Sequence, residues 1–180
     1  MAEWNKRGIP HKGWICIDVL DLREEADSAQ EFEYAQCEMC DKEKLRFFHV
    51  MKHPEYPDIL NVGCICAEKM SDDYINPSKM ENELRKKASR RCNFKRVEWK
   101  FNRIKNTYSK KYRGENITIM KSRYGNNWGV LFANKQKWEY KGNKILSFEL
   151  AEKVAFEMFD ELHTTKAERE NRWYNENINF

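Results

Sequence analysis

The sequence predicts an α+β protein: a cysteine-bearing hairpin unit, a basic connecting helix, and a C-terminal antiparallel sheet packed on one helix. Three observations carry this reading. Four of the six cysteines fall in two tight pairs, Cys37 with Cys40 and Cys64 with Cys66. Ten Lys/Arg crowd between Arg85 and Lys105 with a single acid, Glu98, among them. From Thr107 the apolar period becomes two, as in half-buried strands, and from Ser147 it returns to three and four, as in an amphipathic helix.

Element by element, residues 1–13 read as irregular around Gly8, Pro10 and Gly13, and Trp14–Leu20 as a strand from its β-branched content. The acidic Asp21–Glu31 stretch reads as a solvated helix or loop, and Phe32–Ala35 leads into the first cysteine pair. Leu45–Met51 and Ile59–Gly63 are predicted as strands of a hairpin whose tip, His53–Asp58, is set by two prolines, and Ala67 begins a helix. Pro77 and Ser78 open the next helix, Ser78 as N-cap. Its apolar positions Met80, Leu84, Ala88, Phe94, Val97, Phe101 and Ile104 continue to about residue 106. Strands follow over 107–113, 116–121, 128–133 and 136–141 with polar turns between them. Ser147 then caps a helix carrying Phe148, Ala151, Ala155, Met158, Phe159 and Leu162 on one stripe. The expected organisation is a zinc-binding segment 1–76, a basic helix 77–106, a sheet-plus-helix domain 107–163 and a polar tail 164–180.

Charge is distributed unevenly. The net +4 over 180 residues resolves into 10 Lys/Arg against 16 Asp/Glu in residues 1–80, 15 against 4 in 81–124, and 8 against 9 in 125–180. An isolated basic block of this kind points to phosphate or to an acidic protein. Mean hydropathy is −0.93 and 34% of residues are charged, no segment has the length of a membrane span, and the N-terminus lacks a signal-peptide core. A cytoplasmic, reducing location is expected. There the paired cysteines are metal ligands, and the solitary Cys16 and Cys92 are buried thiols.

Two thiolates on a turn and two returned by a hairpin can close a tetrahedral sulfur site, so one zinc is expected on Cys37, Cys40, Cys64 and Cys66. Reach argues against His53, since a strand rises roughly 3.3 Å per residue and the hairpin tip lies about 20 Å or more from the first pair. A mixed site in which His53 or His49 replaces Cys64 is the alternative ligand set. A closed sulfur site leaves no position for water and is structural.

At these residues the segment 37–73 resembles the treble-clef zinc-finger class. It is also similar to an uncharacterised group of bacterial and phage proteins through Cys37, Cys40, Val62, Gly63, Cys66 and Ala67. In that group the position of Cys64 need not be cysteine. The treble clef also underlies the HNH nucleases, a resemblance that would make His49 or His53 a general base with Asn61 downstream; Lys52 stands where that family has an Asp. No catalytic residue is expected.

The basic block can lay charge along DNA or RNA phosphates through Arg85, Lys86, Lys87, Arg90, Arg91, Lys95, Arg96, Lys100 and Arg103, with Trp99 stacking on a base. Residues 116–162 resemble the three-strand-plus-helix DNA-binding domain of phage-integrase arm-binding and plant ethylene-response-factor proteins, through Gly125-x-x-Trp-Gly-Val-x-Phe132 and the helix opened by Ser147. That resemblance implies groove contact from exposed sheet residues, among them Lys121, Arg123, Lys135, Lys137 and Lys141. Trp128, Val130 and Phe132 are expected in the core in any case. The competing expectation is an adaptor or inhibitor of a defence or mobile-element system, whose acidic N-terminal half faces a basic protein.

Overall fold

The computed structural model describes residues 8–25, 34–42 and 44–164. The expectations for 1–7, for most of the acidic stretch after Glu25, for 32–33 and for the tail beyond Thr164 lie outside the described residues. The chain is a mixture of helices and antiparallel sheets, the predicted α+β class. It forms two compact units whose boundary, between Lys86 and Lys87, falls inside a helix. No helix among the described residues is long and apolar enough to cross a membrane.

Unit one contains a three-stranded antiparallel sheet in chain order: β1 (Ile15–Asp21), β2 (Phe47–His53) and β3 (Tyr56–Val62). The short helix α1 (Leu22–Glu25) follows β1, and α2 (Cys64–Ser71) follows β3 after Gly63 alone. Alternation along β2 buries Phe47, His49, Met51 and His53 on one face, and the register places Val19 opposite His49 and Met51 opposite Leu60. Trp14, Met39, Met51, Leu60, Val62, Ala67 and Met70 form the core with Cys37 and Cys66 inside it. Helix α3 (Asn76–Arg96) begins after the Asp73 carboxylate has accepted the N–H groups of Ile75 (3.0 Å) and Asn76 (2.9 Å). Those bonds hold Asp73 below the usual carboxylate range. Asp73 therefore organises the helix start in place of the predicted Ser78, which lies inside the first turn with its hydroxyl on the Glu68 carboxylate.

Unit two begins in α3 and holds a five-stranded antiparallel meander in chain order: β4 (Lys100–Asn102), β5 (Thr107–Tyr112), β6 (Glu115–Lys121), β7 (Trp128–Phe132) and β8 (Lys135–Lys137). A small pair, β9 (Glu139–Tyr140) with β10 (Asn143–Lys144), leads to α4 (Phe148–His163). Ser147 caps α4 as predicted, its side chain accepting the Leu150 N–H at 3.1 Å. The core joins Phe94, Tyr112, Ile117, Ile119, Val130 and Phe132 to Ala151, Val154, Ala155, Phe156, Met158 and Phe159, with Trp128 packed at its edge. Leu162, predicted on the apolar stripe of α4, is instead exposed.

The predicted continuation of the basic helix to residue 106 is corrected. The helix stops at Arg96 because Lys110, 0% exposed at its side chain, donates from Nζ to the Phe94 carbonyl at 2.9 Å and so satisfies the terminal turn. Val97 N–H bonds that same carbonyl, and the chain turns into β4. Phe101 then pairs across the hairpin with Tyr108, and Ile104 stands 97% exposed at the tip. On β7, a Cβ at Gly129 would lie 2.7 Å from the Trp138 ring, so only glycine lets this indole cover the sheet. Gly129→Ala should displace Trp138 and cost about 1–3 kcal/mol in urea unfolding.

Candidate metal centre and basic surface

The first cysteine pair sits on a knuckle closed by its own backbone. Asp41 N–H donates to the Cys37 carbonyl at 2.8 Å, Cys37 N–H to the Lys42 carbonyl at 2.8 Å, and Asp41 takes a left-handed φ of 57°. Glu38 ties the knuckle to β3 twice, by its N–H to the Asn61 carbonyl (3.1 Å) and by its carboxylate to the Asn61 N–H. Gly63 presents its N–H to Cys37 Sγ at 3.4 Å, and the Leu45 side chain lies only 3.3 Å from where a Cβ on Gly63 would stand. Its carbonyl receives the N–H groups of Cys66 and Ala67, starting α2 with Cys66 in the first turn.

The result is a cluster of Cys37, Cys40 and Cys66 whose sulfurs all lie within 4.8 Å of one another, two of them buried. Without a cation these sulfurs cannot all ionise. The Cys66 thiol, with the Gly63 N–H behind it, holds Cys37 down to about 5, whereas its bond to Cys37 and its burial drive Cys66 far upward. A divalent ion removes that conflict, because each thiolate then faces a positive charge. The spacing, the burial and the all-sulfur donor set fit a metal ion.

Cys64 is not part of this cluster, which corrects the predicted fourth ligand. Two residues along a strand share a face. Because α2 begins at Cys64 itself, the two cysteines stand about 200° apart around the helix, at 3.6 residues per turn. Cys64 groups instead with His49 and Glu81.

The alternative ligand His53 is elsewhere as well. Its Nδ1 accepts the Glu55 N–H at 3.1 Å, its Nε2 donates to the Lys12 carbonyl at 3.1 Å, and its ring lies 5.2 Å from Trp14. One nitrogen thus fixes the hairpin turn and the other ties it to the segment before β1, which leaves none for a metal or for base catalysis. Of the solitary cysteines, Cys92 is exposed rather than buried, and Cys16 is half-buried with Sγ 3.7 Å from His49 Nδ1.

The predicted basic block divides by function. Arg85 binds Glu81 and covers the Phe47 ring, and Lys86 pairs with Glu83 at 2.6 Å. Arg90 forms a two-point bond with Asp160, Nε to Oδ1 at 2.6 Å and Nη2 to Oδ2 at 3.2 Å, against a carboxylate only 5% exposed. Trp99 is no open stacking platform: it packs on Phe94 and Phe148 and donates from Nε1 to Glu152 at 2.7 Å. Lys110 Nζ lies 4.4 Å from its ring and 3.1 Å from the same Glu152, and burial lowers the pKa of this ammonium despite that carboxylate. Trp99→Ala should lower the melting temperature of unit two, with a cost of about 2–4 kcal/mol in urea unfolding, and leave any salt dependence of binding unchanged.

Lys95, Arg96, Lys100, Arg103, Lys105 and Arg123 are exposed. Strand register adds residues that the sequence reading passed over. Since Tyr112, Ile117, Ile119, Val130 and Phe132 face α4, their neighbours Lys111, Asn116 and Thr118 lie on the opposite face, where Lys100 and Asn102 join them opposite Ser109 and Thr107. Lys121, Lys135 and Lys137 instead share the α4 side by register, Lys121 opposite Trp128, Lys135 opposite Phe132 and Lys137 opposite Val130. Strict alternation through Lys110 and Lys111 was the available signal; two adjacent lysines concealed which of them points inward. Comparison with protein-family models, with curated proteins and with solved structures gives no match, so the geometry alone carries the functional reading.

Proposed function

We propose that this chain is a zinc-stabilised, non-catalytic nucleic-acid-binding protein of bacterial or phage origin, acting in the cytoplasm. In this reading unit one is a treble-clef-like finger, with knuckle, hairpin and first helical turn sharing one zinc on Cys37, Cys40 and Cys66. Unit two is the DNA- or RNA-contacting module, akin to the three-strand-plus-helix domains. The observation that carries it is the sheet face opposite α4, where Lys100, Asn102, Lys111, Asn116 and Thr118 stand exposed or half-exposed; Lys95, Arg96, Arg103 and Lys105 are exposed in the same unit. Cations flanking short polar side chains on the part of this face away from Trp138 suit phosphate contact with sheet residues in a groove. The commitment of both His53 nitrogens to backbone supports the non-catalytic reading over the HNH alternative.

Binding should be strongly salt-dependent. With about five phosphate contacts, log affinity should fall with log salt at a slope of about −3.5 on single strands or −4.5 on duplex. Lys100→Glu with Lys111→Glu should weaken binding to all sequences alike and reduce that slope by about 1.5. Fluorescence anisotropy on random-sequence oligonucleotides across a salt series reads both. Binding indifferent to salt and to this double change would favour the adaptor reading. That reading has its own support in Tyr74 and Ile75, exposed apolar side chains beside Asp72 and Asp73 in the acidic unit.

A further inference from the structure

A second group of donor atoms lies in unit one, outside the sulfur cluster. His49 comes from β2 with its side chain fully buried, Cys64 from the first residue of α2, and Glu81 from α3, so three separate elements converge. Their ligand atoms all lie within 4.8 Å of one another, and His49 Nε2 is 3.2 Å from Glu81 Oε2. Donors about 2.0–2.3 Å from a tetrahedral zinc stand about 3.3–3.8 Å apart, close to this spacing.

We propose that His49, Cys64 and Glu81 form a second metal site, independent of the Cys37–Cys40–Cys66 cluster, that takes a zinc-like divalent cation. One thiolate and one carboxylate balance the ion's two charges, and the neutral imidazole adds a donor without adding charge. The mixed nitrogen, sulfur and oxygen set suits zinc and excludes calcium or magnesium, which prefer oxygen alone.

The surroundings are those of an oriented site. Arg85 holds the other Glu81 oxygen, Oε1, from Nη2 at 2.5 Å and Nε at 2.9 Å, which turns Oε2 toward His49. Cys16 Sγ lies 3.7 Å from His49 Nδ1 and sets the ring from its other side. Ser78 Oγ is 3.5 Å and Glu68 Oε1 3.8 Å from Cys64 Sγ, so a hydroxyl and a further carboxylate stand beside the three donors. A nucleophilic role for Cys64 fits less well. Its hydrogen-bond partners are Ser78 and Glu68 rather than an imidazole, and burial pushes its thiol up to about 11 in the absence of a cation.

The test uses the full chain, saturated with Zn²⁺ and freed of excess metal, with zinc per chain read by mass spectrometry or atomic emission. Two zinc ions per chain are expected, falling to one in Cys64→Ser and in Glu81→Gln. Co²⁺ substitution gives an independent readout: sulfur-to-cobalt charge-transfer intensity should drop by about a quarter, one thiolate of four, in Cys64→Ser and equally in Glu81→Gln, because loss of the second ion removes the Cys64 band in both. The Glu81 variant guards against misfolding of the cysteine variant, because glutamine can keep the Arg85 and His49 hydrogen bonds. One zinc in the wild-type chain, or two retained in both variants, overturns the proposal. Nucleic-acid binding does not enter the measurement, so a failure here leaves that reading untouched.

Discussion

Cys37→Ser, or stripping the protein with a strong chelator, should unfold unit one. The core around the sulfur cluster is small: among the described residues, three methionines, Trp14, Leu60, Val62 and Ala67 are buried with Cys37 and Cys66, and Trp14 is the one fully buried aromatic in that group. Structural zinc in finger peptides contributes about 10–16 kcal/mol, comparable to or larger than the whole stability of an ordinary domain at about 5–15 kcal/mol. Loss of such an ion would also leave three sulfurs crowded within 4.8 Å of one another in an apolar setting. In amide NMR spectra the dispersed resonances of β1, β2 and β3 should collapse in Cys37→Ser and on chelation, and return on readdition of Zn²⁺. Metal-free protein with unchanged dispersion in those strands would refute a structural metal at this cluster.

Arg90→Ala should cost unit two about 3–5 kcal/mol, a large share of a domain's stability. The asymmetry of the pair sets that size. The Asp160 side chain is 5% exposed and has its charge met by Arg90, whereas the Arg90 side chain is 25% exposed and can reach water if Asp160 is lost. Asp160→Asn should accordingly be milder than Arg90→Ala, and Arg90→Lys intermediate, since an ammonium restores the charge without the planar two-point geometry. Urea unfolding followed by tryptophan fluorescence gives the order. If Asp160→Asn proved the more damaging, the buried carboxylate would not be the source of the cost. Arg90 stands in the run read from sequence as phosphate-binding, so this experiment also separates a folding cation from a binding one. The folded fraction of Arg90→Ala should keep the wild-type salt slope.

Sequence alone determined what depends on local pattern. The α+β class, the hairpin of unit one, the meander with its turns and the Ser147-capped helix were legible because strand alternation, helical spacing and capping chemistry act over a few residues. The knuckle was legible too, since Cys37 and Cys40 meet through one turn, and Cys66 returns along a hairpin of predictable length. What only the tertiary structure decided are matters of phase and of distant partners. Cys64 and Cys66 would share a face on a strand and part company on a helix, and the helix begins at Cys64 because the Gly63 carbonyl receives N–H groups from the residues beyond it. Glu81, seventeen residues further on, then meets Cys64 and His49, a convergence with no signature in spacing. In unit two the basic helix ends where a lysine sixteen residues away reaches the Phe94 carbonyl of its final turn, and an arginine inside a cationic run finds a buried aspartate seventy residues along the chain. Charge counted along a sequence cannot tell these internal cations from solvated ones, because the difference lies in which side chains long-range packing brings beside them.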